Sequence, residues 1–149
     1  PTADVVFEDK DGEINQILEE DLPYDLNQPV IDLDTYAYGI WYLDAMDNLS
    51  RYIGKTIKFK AMVLRPKDGS TDYFVPGRMA MTCCAEDMAF LGYACKYDKS
   101  TELTNKEWVE VTATVHQEFW KDYNGEGPVL HAVSVVSTKK PKDEVVSFN

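Results

Sequence analysis

The apolar positions of the chain change period once, near Gly54, and the change divides helix from sheet. Upstream, Tyr36, Ile40 and Leu43, with Trp41, Ala45 and Leu49, fall at helical spacing and predict a helix over 35–52. Asp34 stands where a carboxylate can accept the free N–H groups of a first turn, and Gly54 is a natural stop. Downstream the period falls to two. Ile57, Phe59, Ala61 and Val63 alternate with Lys58 and Lys60, which predicts a strand over 56–65. Pro66-Lys67-Asp68-Gly69 then has the chemistry of a turn. A second strand is predicted over 73–82, interrupted at Pro76-Gly77 by an edge or a bulge. A third is predicted over 88–96 and a fifth over 128–138. The fourth, over 108–120, alternates Val109, Val111, Ala113 and Val115 with Glu110, Thr112, Thr114 and His116. A polar connection over 98–106 precedes it, and a loop over 121–127 follows. Five strands with a longer link between the third and fourth predict a mainly β protein, a five-stranded OB-like Greek-key barrel preceded by an N-terminal helix.

Residues 1–34 stand outside this pattern and read as an acidic, loosely structured segment with one short helix around 13–20, leaving 35–149 as the domain. A chain of 149 residues fits one domain, and 44% apolar with 12% aromatic residues fits a globular one. No stretch approaches the roughly 18–20 apolar residues of a membrane span. The opening lacks a basic and an apolar leader, and a start at Pro1 is what trimming from a longer protein would leave. The net charge of −11 is unevenly spread: residues 1–35 hold eleven Asp and Glu against Lys10 alone. The nearly neutral remainder offers no general phosphate-neutralising surface, so no nucleic-acid partner is expected.

Most of the polar chemistry gathers between Tyr73 and Met88. Cys83 and Cys84 are adjacent, and alternate strand residues face opposite ways, so their side chains should diverge unless the strand ends at Ala85-Glu86-Asp87. One reading is a metal site of Cys83, Cys84 and Asp87 for a transition metal such as zinc. The other is a core cysteine beside a half-exposed one, because free cysteine often behaves as a small buried hydrophobe. The zinc reading lacks the usual spacing of two to four residues between ligands. Cys95, the third cysteine, could form a cross-strand disulfide with Cys83 or Cys84 in an oxidising compartment. Arg78 is expected to pair with Glu86 or Asp87 through bidentate bonds, and these three residues form the candidate ligand-binding set. A reactive thiol beside Arg78 is the redox alternative, opposed by the two acids.

His116 and His131 would face each other if the loop centres between Tyr123 and Asn124, and a slip of one residue would separate them. They read either as a metal pair or as two surface histidines. Tyr73, Phe74, Tyr93, Tyr97, Trp108, Phe119, Trp120 and Tyr123 could line the binding face of a barrel, which keeps an oligonucleotide-binding module as a further alternative. No Ser/His/Asp order, phosphate loop or carboxylate pair stands out, so no enzyme is expected.

Tyr52-Ile53-Gly54-Lys55, the strand Ile57–Leu64, Phe74 with Arg78, Cys83-Cys84-Ala85-Glu86-Asp87, and Trp108-Val109 with Gly125 resemble the C-terminal domain of the bacterial YcgQ-like permease-subunit family over roughly residues 36–138. The Phe, Arg and Cys-Cys-Ala-x-Asp elements are specific only in combination. In that family, transmembrane helices precede a soluble domain whose partner is an integral-membrane permease. The resemblance implies a soluble domain held at the outer side of a bacterial membrane; taken with the acidic balance and the strand pattern, it leads to the expectation of a non-enzymatic, extracytoplasmic accessory domain that presents a metal or small ligand. Its anchor would be a segment absent from this chain, either transmembrane helices or a lipoprotein attachment.

Overall fold

The structure, a computed structural model, describes residues 17–81 and 87–148 in full, and residues 9–10 and 13–14 as backbone. Near the N-terminus, β1 (Asp9–Lys10) pairs antiparallel with β2 (Glu13–Ile14). The expected helix over 13–20 is therefore absent at its start, and a single 3-10 turn occupies Glu19–Asp21. The acidic segment joins the domain through Ile17, which is buried, and β3 (Ile31–Leu33), which runs parallel to β4 (Thr56–Leu64).

Helix α1 spans Thr35–Asp47, and the Asp34 carboxylate caps it by accepting from the Ala37 N–H at 2.8 Å. It ends earlier than its apolar spacing predicts. Asn48 leaves helical geometry, and a 3-10 turn over Leu49–Arg51 carries the chain to Gly54, whose φ of +82° suits glycine. The buried face of α1 supplies Tyr38, Trp41 and Ala45 to the core. Tyr38 packs 5.0 Å from Phe59, and Trp41 meets Tyr93 edge-on at 5.4 Å.

The remaining strands are β5 (Tyr73–Met81), β6 (Met88–Gly92), β7 (Cys95–Lys96), β8 (Trp108–Trp120), β9 (Gly125–Ser137) and β10 (Val146–Ser147). They form one mixed eight-stranded sheet with β3 and β4. Its ladders run from β4 to β5, to β7, to β9, to β8 and back to β4, with β7 and β9 parallel and the other pairs antiparallel. Strand β8 has the bounds that its alternation predicts, with Val109, Val111, Ala113 and Val115 all buried. The predicted third strand is broken at Tyr93-Ala94 into β6 and β7, and both residues of the break are buried.

Pro76 and Gly77 do not interrupt β5. Val75 and Pro76 fall between the β7 ladder, which ends at Phe74, and the β6 ladder, which begins at Gly77. The proline without an N–H thus sits where the sheet changes partner on one side. The short C-terminal β10 lies parallel to β5, and Val146 and Phe148 pack against Gly39 of α1.

Cys95 is a free, fully buried thiol, and burial pushes its pKa up. In a variant with Cys83 and Cys84 replaced by serine, Cys95 should therefore resist an aromatic disulfide reagent until the protein is unfolded. Rapid labelling of the folded variant would show that the strand pair β7–β9 opens.

Candidate functional site

Cys83, Cys84 and Glu86 lie outside the described residues. Asp87, just before β6, is exposed. Arg78 does not take the expected partner Asp87. On β5 it shares the inward parity of Phe74 and Ala80, and it is only 2% exposed. Its Nε donates to the Lys60 carbonyl at 2.8 Å, and its Nη1 donates to Thr35 Oγ1 at 2.7 Å and to the carbonyls of Asp143 and Glu144. The guanidinium also lies 5.4 Å over the Trp108 ring. Burial, ahead of any charge, lowers its pKa. Its described bonds tie β4, α1 and the C-terminal segment together, which is a structural task.

The aromatic residues expected on a binding face divide between core and surface. Phe74 and Tyr93 are buried, Tyr73 packs edge-on against Trp120 at 4.8 Å, and Phe119 is exposed.

The titratable cluster of most interest lies on the outward face of β7, β8 and β9. Register places Lys96, His131 and Thr114 in one row across the three strands. His116 and Glu118 follow Thr114 on β8 at two-residue steps, so all five residues share a face. The β8–β9 loop centres one residue earlier than a direct His116–His131 pairing requires, so Thr114 is opposite His131 and His116 is opposite Val129. That displacement moves each partner by two positions and keeps both imidazoles on the same side. They become diagonal neighbours, stacked at 3.7 Å between centroids and 22° between planes.

Glu118 completes the group and was not singled out by sequence reasoning. The signal was present, since His116-x-Glu118 puts both side chains on one strand face. One carboxylate oxygen meets His131 Nε2 at 2.5 Å and the other meets Lys96 Nζ at 2.6 Å. Thr114 Oγ1 and His116 Nε2 are hydrogen-bonded at 2.9 Å. His116, Glu118 and His131 each offer one ligand atom, and all three atoms lie within 4.8 Å of one another. Partial burial lowers the pKa of His116, and the neighbouring His131 adds to that shift. Burial pushes Glu118 upward, but the bonds from Lys96 and His131 outweigh it and hold its pKa below the usual value. The cluster thus combines an ionised carboxylate with an imidazole biased toward its neutral, ligating form.

Beside it opens a groove of about 760 Å³, lined by Lys96, His131, Asp72, Tyr97 and Asp98 among others. Among the described residues, no helix is long and apolar enough to cross a membrane.

Sheet and cluster together describe a mainly β domain with a polar side-chain site on its outer face. Residues 9–147 match the DUF1980 C-terminal domain, and the chain belongs to that family. It is also similar to the UPF0703 protein YcgQ of Bacillus subtilis (strain 168), with 21% identity over 109 residues. That match covers 70% of this chain and 38% of the relative's length.

Proposed function

We propose that the chain is a non-enzymatic binding domain, an OB-like barrel with a helix before its first long strand, that carries a divalent transition metal and works beside an integral-membrane permease of the bacterial envelope. The observation carrying the metal assignment is the convergence of His116, Glu118 and His131 within 4.8 Å. Two imidazoles and a carboxylate are the ligand types that zinc accepts, at about 2.0–2.2 Å each. Neighbouring ligands of a tetrahedral ion are then separated by about 3.4 Å, so the side chains need only small rotations to close on one. Three protein ligands leave a fourth position free, which suits an ion that must be passed on. The barrel reading is supported by the circuit of ladders that leaves β4 and returns to it. The envelope setting and the permease partner are supported by the family resemblance.

Chelator-treated protein, titrated with zinc in a calorimeter, should bind one ion per chain, and magnesium should give no heat. His116→Ala and His131→Ala should each weaken zinc at least tenfold, because each removes one of three ligands. Undiminished zinc binding in the double variant would move the site elsewhere and overturn the assignment. For the partnership, an affinity pull-down from native membranes should recover a transporter component, and its consistent absence would remove that half of the proposal.

A further inference from the structure

Resting on the metal reading above, we infer that Lys96 is a built-in competitor for the metal, a lysine whose ammonium group pairs with the Glu118 carboxylate and opposes a divalent cation there. Three observations converge on this role. Lys96 Nζ sits 2.6 Å from Glu118 Oε1, and His131 Nε2 faces Oε2 of the same carboxylate, so an ion bound by Glu118 and His131 would lie within a few ångströms of the ammonium group. Lys96 is delivered by a different element from the ligands: β7 brings the lysine, while β8 and β9 bring His116, Glu118 and His131. The third observation is an alternative resting place, for Lys96 also lines the adjoining groove, whose wall includes Asp72 and Asp98. A displaced ammonium group can therefore turn into a space that already holds carboxylates.

The electrostatics make the competition direct. An ammonium and a divalent ion within a few ångströms repel each other, whichever oxygen of the carboxylate the metal takes. A metal on Oε1 breaks the lysine bond, and a metal on Oε2 leaves the ammonium group under repulsion; metal exit relieves both. The ammonium group therefore lowers affinity, and together with His131 it keeps the empty carboxylate paired between loadings. A site of this design exchanges its ion readily and is fitted to transfer more than to storage.

The test is zinc titration of four chelator-treated proteins: wild type, Lys96→Gln, Lys96→Arg and Glu118→Gln. Lys96→Gln should bind zinc about tenfold more tightly, through loss of both the competing bond and the repulsion. Lys96→Arg keeps the charge and should bind no more tightly than wild type, which separates charge from any loosening of the strand. Glu118→Gln should bind more weakly than wild type. Equal or weaker zinc binding by Lys96→Gln, with normal binding by wild type, would overturn the role of Lys96 alone. If neither wild type nor Lys96→Gln binds zinc, the metal reading itself fails, and this inference fails with it.

Discussion

Asp44→Ala is expected to lower unfolding stability by about 3–5 kcal/mol, the usual consequence of breaking a buried charge pair from one side. Asp44 is 1% exposed, near the end of α1. Its carboxylate accepts Arg51 Nη1 at 2.8 and 2.9 Å, the Tyr52 hydroxyl at 2.6 Å and the Asn48 side-chain amide at 2.8 Å. Because Tyr52 donates to the carboxylate, the Tyr24 hydroxyl, 2.7 Å away, is left to donate to Tyr52. Arg51 also donates to the Ile17 carbonyl at 2.9 Å. Alanine at position 44 would strand a guanidinium and a phenol together, and would loosen the hold on the N-terminal segment. Urea unfolding checks this, and a loss below about 1 kcal/mol would mean that water replaces the carboxylate at little cost.

The second large effect is expected at Gly77. Gly77 of β5 is paired with Gly92 of β6, and the Phe90 ring lies over the space that side chains would fill. A Cβ on Gly77 would stand 2.3 Å from the Leu91 carbonyl oxygen, and one on Gly92 would stand 2.6 Å from the Pro76 carbonyl oxygen. Those obstacles are backbone atoms, so a rotamer change cannot clear them. Gly77→Ala should cost about 3 kcal/mol, at the upper end of overpacking effects, and should open the β5–β6 ladder. Gly125→Ala is the control: a Cβ there meets nothing within 4 Å, and stability should stay within about 0.5 kcal/mol. Thermal unfolding and amide exchange at β6 would measure both.

These positions also show what could be read from the chain. Strand β8 was legible because the alternation from Val109 to His116 specifies both an element and its buried face. Pro76-Gly77 carried a real signal that was read too locally: the pair marks a change of neighbour along a continuous strand, and neighbours are a property of the sheet. Strands β3 and β10, of three and two residues, are too short to show a period, and their parallel partners are distant in sequence. Arg78 could have been recognised as inward-facing from its parity with Phe74 and Ala80, but charge argued for a surface ion pair. The stacking of His116 and His131 was half legible. A loop centred between two residues puts them on one face, while the diagonal register depended on how the Lys121–Tyr123 turn and the left-handed Asn124 consume the loop. Lys96 joins them only through the parallel β7–β9 ladder, which no local pattern announces.

That division of labour has a thermodynamic consequence. All three proposed ligands belong to a single hairpin, whereas the opposing lysine arrives only when β7 docks. A partly unfolded chain that retains the hairpin would keep the ligands and lose the competitor. A ligand stabilises a fold only by the margin with which it prefers that fold to the states competing with it. Saturating zinc should therefore raise the melting temperature of the wild type by less than its affinity alone implies. In Lys96→Gln, where the folded state no longer carries the handicap, the same saturation should raise it further.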